Sequence, residues 1–127
     1  MAGNLSNYLE NKLLDHFLGT TSYTMPSPVY VGLYTVAPSD STSGTEVSGG
    51  SYARQTAAFS GASAGATSNS ANIDFTNMPS CTVVAIGISD ALSGGNLLVW
   101  GTLTANKSLD AGDTLRIATG DLDISID

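Results

Sequence analysis

Apolar positions in the first nineteen residues recur at helical spacing. Leu5, Tyr8, Leu9, Leu13, His16 and Phe17 fall on one face. Asn4 or Ser6 can cap the start, and Gly19 can close the end in a left-handed position. A helix of about 14 residues is marginal alone in water, so it must dock, either on its own domain or on a neighbouring subunit. The pattern sets residues 1–19 apart as a docking or anchoring helix ahead of a β domain over residues 20–127.

The period then changes to two. "SPVYVGLYTV" (27–36) alternates, with Val29, Val31, Leu33 and Thr35 on one face and Tyr30, Gly32, Tyr34 and Val36 on the other. Pro26 and Pro28 mark where this strand begins. "APSDSTSGTEVSGG" reads as a loop of about fourteen residues without apolar periodicity. "SYARQTAAFS" reads as a strand with Tyr52, Arg54, Thr56 and Ala58 on one face. "GASAGATSNS" is low-complexity loop or edge, and "ANIDFT" is a short strand. "TVVAIGISD" is nearly all apolar, as a central strand covered on both faces should be. "ALSGGN" turns the chain into "LLVWGTL", its hairpin partner. "TANKSLDAGD" reads as a further turn region before the last two strands, "TLRIAT" and "DLDISID". One helix and about seven short strands predict an all-β fold, a single antiparallel β-sandwich or barrel-like domain with one N-terminal amphipathic helix.

Charge narrows the function classes. Eleven carboxylates face four Lys/Arg, a formal charge of -7. Nucleic-acid binding needs a basic stripe, and Lys12, Arg54, Lys107 and Arg116 are too scattered to make one. Anionic membrane surfaces are disfavoured for the same reason. Only 12% of residues are charged, which suits close packing against other proteins. The N-terminus lacks a basic region before its apolar positions and does not read as a signal peptide. No apolar run approaches the ~20 residues of a membrane span.

Catalytic chemistry finds little support, and no enzyme, cofactor or metal is expected. Cys81 reads as a structural thiol, since His16, the one histidine, lies far along the chain. "GISDA" lacks the second glycine of a nucleophile elbow and leads into a hairpin. The two glutamates, Glu10 and Glu46, have no aromatic sugar platform around them. One weak cation candidate remains: Asp121, Asp123 and Asp127 alternate with apolar residues, which is equally the pattern of a solvated strand face.

"GTEVSGGSYARQ" (44–55) is the most distinctive stretch. Its glycines permit sharp turns, and Arg54 follows Tyr52 in a chain with few cations. One reading is internal: Arg54 stacks on an aromatic ring and pairs with Glu46, pinning the loop to the sheet. Another makes Arg54 half of an inter-subunit pair, and a third makes it a phosphate ligand.

This block, with "YVGLYT" (30–35), the later "GGNLLVWGTL" and the closing "GDLDISID", resembles a family of small tailed-bacteriophage virion structural proteins, often labelled tail fibre proteins. The resemblance covers nearly the whole chain. It implies a non-enzymatic structural protein located in the virion and assembled in the host cytoplasm. Its partners would be other virion proteins and further copies of itself, with no nucleic acid or membrane. The first expectation is a capsid decoration or cement protein, contacting neighbours through the helix residues Leu5, Leu9, Leu13 and Phe17 or through Glu46, Tyr52 and Arg54. The alternative is a tail fibre or baseplate component. A further alternative is a carbohydrate-binding module using Tyr30, Tyr34, Tyr52 or Trp100 as stacking faces.

Overall fold

A computed structural model describes residues 4–126. The chain is all-β with one N-terminal helix. Asn4–Leu5 forms a short strand, β1, and α1 spans Asn7–Phe17. Between them Ser6 caps the helix. Its hydroxyl oxygen accepts from the Leu9 N–H at 3.3 Å and its hydroxyl donates to the Leu97 carbonyl at 2.5 Å. One serine thus satisfies an orphan helix donor and staples the helix start to the sheet. Leu18 closes α1, and Gly19 follows at φ 85°.

The main sheet has six strands. β2 (Val29–Val36), β3 (Thr45–Glu46), β4 (Gln55–Ala57), β7 (Cys81–Ser89) and β8 (Leu97–Leu109) join β1 in the order β1–β8–β7–β2–β3, with β4 also on β2. Two ribbons complete the fold: β5 (Ala66–Ser68) with β10 (Asp123–Ser125), and β6 (Ile73–Phe75) with β9 (Leu115–Ile117). All pairings are antiparallel. β7 is central, between β2 and β8, which explains its apolar run.

One core joins the layers. Val31 and Leu33 of β2, Val83, Ile86 and Ile88 of β7, and Leu98 and Val99 of β8 meet Ile73 and Phe75 of β6 and Leu115 and Ile117 of β9. Full burial of each such side chain contributes about 1.5–3 kcal/mol. Leu9 of α1 belongs to this core, and Leu5, Tyr8 and Leu13 pack at its margin.

Several elements depart from the sequence reading. The fourteen-residue loop contains β3, which pairs Tyr34 with Glu46, and Val47 after it is buried. The expected strand 51–60 is regular only over β4, so Tyr52 and Arg54 precede it in an irregular stretch after the turn at Gly50–Ser51. "TANKSL" is no turn, because β8 runs on to Leu109. Its register does slip: Ala85 pairs Thr102 and Val83 pairs Lys107, so Leu103–Asn106 bulges opposite Val84 alone. Phe17 is not on the docked face of α1 but exposed, as is His16, whose Nδ1 accepts from the Tyr23 N–H at 3.1 Å. Beside β1, the Trp100 indole N–H donates to Asp40 at 3.2 Å.

Candidate functional site

The glycine-rich block builds a polar cluster on the sheet. After β3 the chain turns back at Gly49 and Gly50, both at positive φ. At Gly50 a Cβ would sit 2.8 Å from the Asn77 carbonyl, so a side chain is excluded on two grounds. The turn delivers Tyr52 and Arg54 to Glu46. The Arg54 Nε donates to Glu46 Oε2 at 2.9 Å and its Nη2 to Oε1 at 2.9 Å, a fork on a carboxylate. The Tyr52 hydroxyl donates to the same Oε2 at 2.5 Å and accepts from the Leu33 N–H at 2.9 Å. Arg54 Nη1 reaches the Ala91 and Gly94 carbonyls of the β7–β8 hairpin at 2.7 and 2.9 Å. Three separate segments are therefore tied through one guanidinium.

The cluster needs room. Gly32 lies beneath it: a Cβ there would meet Glu46 Oε2 at 2.9 Å and the Tyr52 hydroxyl at 3.2 Å. The Tyr52 ring stacks on Phe75, centroids 6.1 Å apart, which joins the cluster to the core. Burial and the hydrogen bond to Glu46 push the Tyr52 hydroxyl well above the usual phenol value. The bond to Glu46 raises Arg54 further above its already high value. Both groups keep their protons across the physiological range. Burial likewise raises Tyr34, with the Glu46 charge adding to it.

Of the three readings of Arg54, the internal pair is the one built here. Its side chain is only 11% exposed and its forked donors are taken by Glu46. The aromatic stacking falls to Tyr52 on Phe75 and not to Arg54. Arg116 makes the second such pair, with Asp74 at 2.7 Å, on the exposed side of the β6–β9 ribbon. That contact holds Asp74 below the usual carboxylate range.

The other singled-out residues are dispersed. Asp123 begins β10, Asp121 precedes it, and Asp127 lies outside the described residues. Among the described residues no three His, Cys, Asp or Glu side chains converge as metal ligands. Ser89 of "GISDA" is buried at the end of β7. Cys81 is half-buried, and burial raises its thiol. Tyr34 is buried, Tyr52 has both sides of its hydroxyl engaged, and Trp100 is held by Asp40, which constrains three of the four aromatic residues considered as stacking faces. No described helix is long and apolar enough to cross a membrane.

Sequence reasoning missed Asn69 altogether. It is fully buried between β5 and β6. Its Nδ2 donates to the Ala71 and Ala118 carbonyls, and its Oδ1 accepts from the Gly120 and Leu122 N–H groups. An asparagine in a Ser/Ala/Gly-rich stretch gives no local sign of partners fifty residues ahead. Asp90 was also missed as a brace. Burial alone would raise its carboxyl, but donation from the Asn96 backbone and side chain brings it below the usual range and locks the hairpin turn.

Residues 4–125 match the family model described as Podophage GP4 fiber I protein gp80. The match begins in β1 and ends in β10, so it takes in every element of the fold. The chain belongs to this family. It is a bacteriophage structural protein of fibre type and a component of the virion. A comparison with curated proteins finds no match. The Glu46–Tyr52–Arg54 cluster rigidifies a loop-rich face of this chain.

Proposed function

We propose that the protein is a small, non-enzymatic structural module of the phage tail fibre apparatus, rather than a decoration protein on the capsid. The observation that carries this reading is the gp80 fibre family match over residues 4–125. The geometry is compatible with it. The charged cluster is spent on internal order, and the apolar end of α1 is left free for assembly. Decoration of the shell is the first expectation drawn with the resemblance, but the family description favours the alternative, the fibre address.

Copy number tests the proposal. Quantitative mass spectrometry of purified virions should give a few copies to a few tens of copies per particle, and gold-labelled antibody should mark the tail. A ratio near one per major shell protein, with label spread over the head, would overturn the fibre reading.

A further inference from the structure

The last turn of α1 carries a second apolar stripe that the fold leaves bare. Leu14 and Leu18 project away from the side of Leu9, which is in the core. Phe17 is 65% exposed and Leu18 71%. Ile126, at the other end of the described chain, is 58% exposed and closes a groove of about 220 Å³ with Leu5, Leu13, Leu14 and Phe17. A rotation of the helix would not bury this stripe, because Ser6 fixes its start to the Leu97 carbonyl and β1 is paired with β8. Contiguous exposed apolar surface of this kind marks a contact with another protein.

Charge decides between occupants. Among the described residues lining the groove, the charged one is Glu10. Lys12, the cation of this helix, is turned to the Tyr8 ring at 5.6 Å. Leu18 sits at the C-terminal end of α1, where the helix dipole places partial negative charge. A second copy would present the same Glu10 and the same helix end, on a molecule of formal charge -7. Two such faces repel. We infer that the groove between α1 and Ile126 docks an apolar segment carrying Lys or Arg, supplied by a different virion protein. The inference rests on the fibre reading and names the kind of partner through which the module is attached. Apolar side chains of that segment fill the groove over Leu14 and Phe17, and its cations lie against Glu10 and the end of the helix.

The test is photocrosslinking in the particle. The full chain with p-benzoylphenylalanine at position 17 is expressed in infected cells, virions are purified, and crosslinked peptides are sequenced by mass spectrometry. The expected result is a crosslink to another virion protein, within a segment where Lys and Arg outnumber Asp and Glu. A crosslink to a second copy of this chain, or to an acidic segment, overturns the inference, as does the absence of any crosslink when the protein is present. If the wild-type protein is missing from purified virions, the fibre reading falls and the docking inference with it. In parallel, Phe17→Glu should lower incorporation about tenfold or more. Its thermal unfolding should match wild type, since the side chain is outside the core. Normal incorporation of the folded variant would overturn the docking role.

Discussion

Gly32 of β2 stands directly across from Gly87 of β7, and the two missing side chains leave the space that larger groups occupy. Glu46 and the Tyr52 hydroxyl lie over Gly32, and the Tyr34 ring lies over Gly87. A Cβ on Gly87 would meet Tyr34 at 2.7 Å and Leu97 at 2.8 Å. Gly87→Ala should therefore cost about 1–3 kcal/mol through overpacking. Gly32→Ala presses on the end of a glutamate already held by three hydrogen bonds and should cost a similar amount. Urea unfolding of the two variants checks both values.

Arg54→Ala removes the group that joins Glu46 to the hairpin carbonyls. The pair is neither exposed nor fully buried, so a loss of about 2 kcal/mol is expected, between the values for surface and interior pairs. Limited proteolysis should show faster cleavage between Ser39 and Gly50. Arg116→Ala breaks an exposed pair and should be visibly milder in the same assays. Equal effects for the two would refute the pinning role of Arg54.

Tyr52 makes stability sensitive to alkali. Its folded-state value is raised above the 10.0 of a free phenol. The stabilisation is therefore complete below about pH 10 and is lost as pH rises further, because the unfolded chain releases a proton that the folded chain retains. The urea midpoint should fall from pH 9 to pH 11. Tyr52→Phe should be less stable at pH 8, yet show a shallower decline over that interval. Tyr34 shares the direction of shift, so the slope is reduced and not abolished.

Asn69→Ala would strip four hydrogen bonds from a buried position. The Gly120 N–H keeps the backbone carbonyl of residue 69 and the Ala118 carbonyl keeps the Asp121 N–H, so the Leu122 N–H and the Ala71 carbonyl are the groups left unpaired, which should cost about 2 kcal/mol or more. Asn69→Asp keeps the shape but sets a carboxylate against the Ala71 and Ala118 carbonyls, and should be no better. Amide exchange at Leu122 should accelerate in Asn69→Ala, whereas in Asn69→Asp a carboxylate oxygen still accepts from that N–H.

How much of this was legible depended on the range of the interactions. α1 and the central strand β7 were readable because burial imposes a period on consecutive residues. The pairing of Arg54 with Glu46 was readable as one of several options, since cations are scarce and the two lie eight residues apart. β3 was not, because two residues carry no period and Thr45–Glu46 becomes a strand only through pairing with β2. The "TANK" stretch is polar enough to resemble a turn, and its bulge is set by the register of β7. Phe17 has the right spacing for the docked face but lies on the part of α1 that stays uncovered. Asn69 depends wholly on contacts with residues 118–122, which no local pattern encodes.

Trp100 is the only tryptophan in the chain, and its indole is bonded to Asp40 in the loop before β3 while its backbone lies beside β1. Nature has thus placed a single intrinsic fluorophore at the junction of the helix leader, the central sheet and the Ser-rich loop. In the isolated protein its emission can follow the opening of that junction during unfolding with no label added.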